Sequence, residues 1–345
     1  MISNRIIDPQ RVTARDIQLI LDQGSTPIVQ FSIPGYSPEL LQNLNKLCIE
    51  FGTRLELRFY GHYGDKFDAA ALTYLPDVRV LSVDCLERIS NEDSLSGLSR
   101  LERLSFGVYR FNKPDFLKSL PLQHIRELSL SETETRNLDL AHLKRGARLS
   151  NLFIQGHTKN IDALAVLPEL RVLSLSSMPT RQELSFINRI EKLQSLTLIL
   201  GGRSTIDDIS HDQIQSLEII RVRGLESLGD LHRLPRLAQL HVEDQLQLRT
   251  IDLSGVQLRE LFVHNCKNLD QIGNLENQAH MEHLRISRTK LDLDRLLAFE
   301  WPDSMMVLAL YSGSSAWNKK ARVILDQRGY REFAINPGLD RTAPT

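Results

Sequence analysis

Residues 169–177 read Glu-Leu-Arg-Val-Leu-Ser-Leu-Ser-Ser, and residues 192–199 return to the same pattern as Lys-Leu-Gln-Ser-Leu-Thr-Leu-Ile. In both, apolar side chains take the first, fourth and sixth places of a six-residue unit: Leu170/Leu173/Leu175 and Leu193/Leu196/Leu198. The last two alternate as on a strand with one buried face, and the first lies where the chain enters that strand. The unit recurs eleven times between residues 78 and 310, with middle residues at 81, 104, 128, 152, 173, 196, 220, 240, 261, 284 and 308. All 33 unit positions are apolar, against about 14 expected from the 41% apolar composition. One unit, Leu217/Ile220/Val222, stands 24 residues after its predecessor and 20 before its successor. A further strand around Leu57 precedes Leu81 by 24 residues. Spacings of this size mark a stacked repeat, in which each coil buries its apolar face only against its neighbours.

Composition agrees. Leu fills 59 of 345 positions while aromatics make up 6%, the bias of a chain that reuses one small packing unit. With 42 Lys+Arg against 43 Asp+Glu the formal charge is −1, so no basic excess points to nucleic acid. No apolar run approaches the roughly 18 to 20 residues of a membrane-spanning helix. The amino terminus lacks the basic stretch and apolar core of a secretory signal, and Cys48, Cys85 and Cys266 are scattered and odd in number. These features predict a cytoplasmic chain without disulfides that contacts neither nucleic acid nor membrane.

The repeat resembles the leucine-rich repeat family, L-x-x-L-x-L-x-x-N/C-x-L, and looks most like its cytosolic SDS22 and internalin-like type. The resemblance implies an α/β solenoid, a curved horseshoe with parallel strands on its concave face and short helices or turns on its convex face. About twelve repeats are expected over residues 52–312, with an N-terminal cap at 1–51. Thr13 and Ser37-Pro38 are expected to open the helices of that cap. A C-terminal capping helix and strand at 313–335 and a disordered tail at 336–345 complete the organisation. The chain departs from the family at the Asn/Cys position. Only Cys266 fits, whereas Leu86, Thr133, His157, Leu225 and Gln245 stand at equivalent places, so irregular coils are expected. Each unpaired group left there would cost about 1–3 kcal/mol.

No phosphate-loop, dinucleotide, nucleophile-elbow or zinc-protease motif occurs. Gly201-Gly202-Arg203-Ser204 lacks the lysine of a phosphate loop, and His280 and His283 would face opposite ways on a strand. Cys48 lies between Leu47 and Ile49 in the expected cap helix, a setting for a buried thiol. Catalytic, cofactor and metal sites are therefore not expected. Residues flanking each middle Leu should line the concave face. Up to Leu198 these are mainly small hydroxyls, such as Ser82, Ser105, Ser129 and Ser174. Beyond Ile220 they become Arg221, Arg223, His241, Phe262, His264, Arg285 and Tyr311, with Glu243 and Glu260 interspersed. Aromatic and Arg side chains together are the composition of interface hot spots. The expected function is a non-catalytic scaffold, monomeric when free, that captures a protein partner, an acidic one on this count, on those seven residues. The resemblance suits a toxin-immunity or inhibitor protein or a regulatory subunit; the alternative is the substrate-recognition module of an enzyme such as a ubiquitin ligase.

Overall fold

The computed structural model describes residues 3–63 and 66–330, and the chain divides into two compact units, Met1–Gln194 and Ser195–Thr345. In the first unit eight strands lie in chain order, each parallel to the next. They are Arg5–Ile7, Ile28–Phe31, Glu56–Gly61, Val80–Leu86, Arg103–Val108, Glu127–Leu130, Asn151–Gln155 and Val172–Ser176. In the second unit six more are arranged in the same way: Ser195–Ile199, Ser216–Ile220, Gln239–Glu243, Glu260–His264, His283–Ser287 and Val307–Tyr311. Parallel neighbours need a return segment, supplied mostly by single 3-10 turns such as Leu140–Arg145, Ile161–Val166 and Leu231–Arg233. The leucine-rich repeat fold is thus present in both units.

The first 51 residues carry two helices, Ala14–Leu21 and Pro38–Phe51, and two of the sheet's strands. Thr13 and Asp16 form a reciprocal capping box, and the Ser37 hydroxyl accepts from the Leu40 N–H with Pro38 in the first turn. A closing helix spans Ser315–Gln327, and Gly329 follows it at φ +78°. The strand and tail expected beyond residue 330 lie outside the described residues.

Why the coils stack is plain from the register. Leu152 pairs with Leu173 and Ile154 with Leu175, and all four side chains are at most 2% exposed. Between them Ser174 points the other way, opposite Phe153. One coil departs from the sequence expectation. Its strand is Ser216–Ile220, and Leu217 and Ile219, not Ile220 and Val222, continue the buried rows, opposite Leu196 and Leu198. The unit is therefore Ile214/Leu217/Ile219, and spacings of 24 and 20 residues become 21 and 23. Ile220, the last residue of the strand, and Val222, just beyond it, are apolar and buried as well, at 9% and 4% exposure.

The turn after the strand recurs. Gly61, Cys85, Gly156, Ser177, Leu200, Arg221, Asp244, Asn265 and Arg288 each stand four residues after the middle Leu, all with positive φ. For a residue with a side chain this costs roughly 1–2 kcal/mol. Bonds to the next coil offset part of it: the Leu200, Arg221, Asp244 and Asn265 N–H groups donate to the Ile220, Glu243, His264 and Ser287 carbonyls at 2.9–3.0 Å.

One place further on lies the Asn/Cys position, where the expected departure from the motif holds in part: Leu86, Met178 and Val222 stand there in some coils, and a buried polar side chain in others. His62, Thr133, His157, Gln245 and Cys266 occupy it, all buried. The Gln245 amide donates to the Glu243 and Ile219 carbonyls at 2.7 and 3.3 Å, joining its own coil to the one before. Cys266 Sγ reaches the equivalent carbonyls of His264 and Val242, and His157 Nε2 lies 3.0 Å from the Ser131 carbonyl. In this corrected register Val222 takes the place first given to Leu225.

Two measurements follow. Leu173→Ala should destabilise the chain by about 2–5 kcal/mol and Ser174→Ala by at most about 0.5, because only the first empties the coil interior. Equal losses in chemical denaturation would put the strand register in error. His157 supplies a pH signature. Burial is the main cause that lowers its pKa from 6.5, so the folded state favours neutral imidazole. Its contribution to stability is present above the unfolded value and is lost as pH falls towards the folded one. Comparing unfolding at about pH 7.5 and about pH 5.5, His157→Asn should lose less stability on acidification than the parent chain.

Candidate functional site

On each strand the residues on either side of the buried pair stand on the open face of the sheet, in rows fixed by the parallel register. In the second unit the central row runs Glu218, His241, Phe262, Arg285, Ala309. A second row runs Ile220, Glu243, His264, Ser287, Tyr311, and a third runs Ser216, Gln239, Glu260, His283, Val307. Five of the seven expected partner-binding residues therefore share this face: His241, Phe262, His264, Arg285 and Tyr311, each half-buried.

Phe262 is the centre. The His241 ring meets it edge-on at 4.3 Å between centroids, and the His264 ring lies nearly parallel to it at 6.2 Å. Both imidazoles are held from the side. His241 Nε2 lies 3.1 Å from Glu243 Oε2, and His264 Nδ1 is 2.7 Å from Ser287 Oγ. On the neighbouring row His283 Nδ1 is 3.2 Å from Glu260 Oε1. These contacts fix the aromatic cluster, and Phe262 itself stays half-buried.

Arg221 and Arg223 are the correction. A shift of three residues in the strand register exchanges the two faces, and both lie beyond the strand instead of on the open face. Arg221 sits in the left-handed turn with Nε 2.7 Å from Asp244 Oδ2, and Arg223 Nε reaches the Gly201 carbonyl at 3.4 Å. Ile220, not Arg223, neighbours Glu243. The residue missed is Glu218, opposite His241. Ile214 and Ile219, apolar three before and two after Leu217, were the signal that could have found it.

The first unit presents a different floor. A groove of about 320 Å³ is lined by Ser82, Ser105, Ser129 and Ser174, with Glu56, Arg103 and Glu127 along one side. Phe153 interrupts the hydroxyls in this groove and was also missed; it was visible as the one aromatic in the serine row.

Other chemistry-bearing groups have structural work. Asp115, Asp139 and His142 bring ligand-type atoms within 4.8 Å of one another. Asp139, however, already accepts from the Asn160 amide at 2.7 Å and the Ala141 N–H at 2.9 Å, and pairs with Lys159. Those bonds, that from Asn160 first, hold its pKa down at about 2. Arg203 in the glycine loop is bound through Nη2 to both oxygens of Asp208 at 2.9 Å. His280 precedes the strand and is exposed. Burial pushes the Cys48 thiol up to about 12 and the Cys266 thiol up to about 11. Among the described residues no helix is long and apolar enough to cross a membrane.

Among known proteins, no family model matches the chain and no curated protein matches it. Solved structures do. An internalin (InlF) of Listeria monocytogenes shares 15% identity over 93% of this chain and 94% of its own, with a TM-score of 0.49. The APL1 leucine-rich repeat domain shares 18% identity over 68% of each chain, at a TM-score of 0.42. A leucine-rich repeat protein of Leptospira interrogans shares 11% over 89% of each, also at 0.42.

Thiol labelling checks the cysteine assignments. In the native protein only the exposed Cys85 should react promptly with a thiol reagent; Cys48 and Cys266 should join it on denaturation. Prompt labelling of all three would contradict the burial assigned to the last two.

Proposed function

We propose that the chain is a non-catalytic scaffold that captures a protein partner on the open strand face of residues 216–311, with Phe262 as the anchor. The observation that carries this is an aromatic ring set between two side-braced imidazoles on a surface built from five strands. Rigid strands hold such a cluster at little entropic cost on binding, and a central aromatic ringed by polar groups is the usual layout of a hot spot. His241, His264, Arg285 and Tyr311 surround the anchor, while Arg221 and Arg223 contribute from the rim.

Capture alone serves either role suited to the fold, an immunity or inhibitor protein that masks its target or a regulatory subunit. A toxin gene beside this one would favour the first. We place the protein in the cytoplasm, as a monomer when free. Three free cysteines, two of them buried, support a reducing compartment.

The test begins by isolating a partner with the purified chain and measuring its affinity by calorimetry. Phe262→Ala should weaken binding by about 1–4 kcal/mol with the thermal midpoint nearly unchanged, since a hot-spot side chain gains most of its burial in the complex. Lys144→Ala, exposed on a return turn of the first unit, should bind as the parent does. A loss confined to the lysine variant would move the interface away from the strand face.

A further inference from the structure

The side chains on this face carry more negative than positive charge once the register is set correctly. Glu218, Glu243 and Glu260 stand in the three rows around Phe262, and Arg285 is the guanidinium among them. Counting Glu and Arg side chains, that is three carboxylates against one guanidinium. The arginines that would have made the face basic belong to the turn row at the strand ends: Arg221 is matched to Asp244, and Arg223 is bound to the Gly201 carbonyl. Arg288 stands in the same left-handed turn row. The surface thus has two zones, an acidic floor with an aromatic centre and a basic rim along one side.

We infer that the occupant of this face is a cationic protein segment, which lays the stem of a Lys or Arg side chain over Phe262 and its head among Glu218, Glu243 and Glu260. Three features support it. The carboxylates are half-buried, so they are screened less by salt than exposed ones. Glu243 and Glu260 are each held by an imidazole at 3.1 and 3.2 Å, so they are positioned before binding while each keeps acceptor capacity for a further donor. A long basic side chain is also the kind that covers an aromatic ring with its methylenes while keeping its charge near carboxylates. The basic rim adds direction: it repels the segment's cations at the strand ends and keeps them over the floor. The inference rests on the binding face proposed above, but it reverses the acidic partner expected from the sequence.

The experiment uses the full chain and two fluorescein-labelled peptides of equal length, one lysine-rich and one glutamate-rich, each with a single central leucine. Binding is read by fluorescence anisotropy at low and high salt. Because the whole chain has a formal charge of −1, binding of the lysine peptide would report a local surface rather than the net field. The expected result is saturable binding of the lysine peptide. It should weaken as salt rises, and by at least about fivefold in the combined Glu218→Gln, Glu243→Gln, Glu260→Gln variant and in Phe262→Ala. Glu191→Gln, exposed in the first unit, should bind as the parent does, and circular dichroism should show every variant folded. Should the combined glutamine variant fail to fold, Glu218→Gln alone carries the test, with a smaller loss expected. Preference for the glutamate peptide, weakened by Phe262→Ala or Arg285→Ala, would overturn the cationic occupant and leave the binding face standing. Lysine-peptide binding that none of these variants weakens would overturn both. No binding of the lysine peptide would overturn the cationic occupant.

Discussion

A five-residue strand turns every second side chain inward, and in this chain the inward residues form the same apolar pair coil after coil. Burying Leu152 against Leu173 and Ile154 against Leu175 leaves Phe153 and Ser174 no choice of side. The open face therefore costs the fold little: its residues are presented by the same register that packs the core, and they are free to differ between coils. Hence the first unit can carry a hydroxyl floor and the second an aromatic and charged one on the same backbone, and substitutions on this face can alter binding without emptying the core.

The weak points of such a stack are the turns, where each strand must end and its backbone groups need partners. In nine coils a residue with positive φ stands four places after the middle residue, and Leu200, Arg221, Asp244 and Asn265 donate from there to the next coil. In several coils a buried polar side chain meets the same need one place later, accepting or donating across coils. The family motif uses Asn or Cys there, but the requirement is only for a compact polar group that reaches two carbonyls. Gln245 meets it, spanning the Ile219 and Glu243 carbonyls, and the imidazole of His157 reaches the Ser131 carbonyl of the coil before its own. A coil that departs from the motif residue can still tie its turn to the coil before it, with one difference: an imidazole in that position titrates, whereas an amide does not.

Much of this was legible in the sequence. Periodicity of the apolar units located ten of the eleven coils with the correct inward residues, because a buried row tolerates no polar exception and so leaves a strict signal. The capping residues Thr13 and Ser37 were legible for a similar reason, since few side chains can satisfy the first N–H groups of a helix. The failure came at residues 214–222, where Ile214, Leu217, Ile219, Ile220 and Val222 offer two overlapping apolar units. Spacing already leans to Ile214/Leu217/Ile219, since an interval of 20 falls below the 21–24 residues of the others whereas 21 and 23 lie within it. The pairing of Leu217 with Leu196 and Leu240 decides it. The substitutes at the Asn/Cys position were missed for another reason: a motif names residue types, while the turn selects hydrogen-bond reach.

That one register carries further than its own coil. An odd shift inverts faces, so two arginines left the open surface and a glutamate entered it, changing its charge by three in one step. Around Phe262 the consequence is a change in the kind of partner the surface suits, while the location of the surface is unaffected. Position and chemistry of the proposed site thus rest on separate observations. The position follows from strand pairing and the brace of His241 and His264 on Phe262, which would survive any reassignment of charge. The chemistry depends on which of the residues from Glu218 to Arg223 share the sheet's open face. With Glu218 beside His241 and Arg221 turned to Asp244, the floor is acidic and its bordering rim basic. On the proposal, a segment that meets both would place its cations over the strands and its anions at their ends, giving the face a preferred direction of binding.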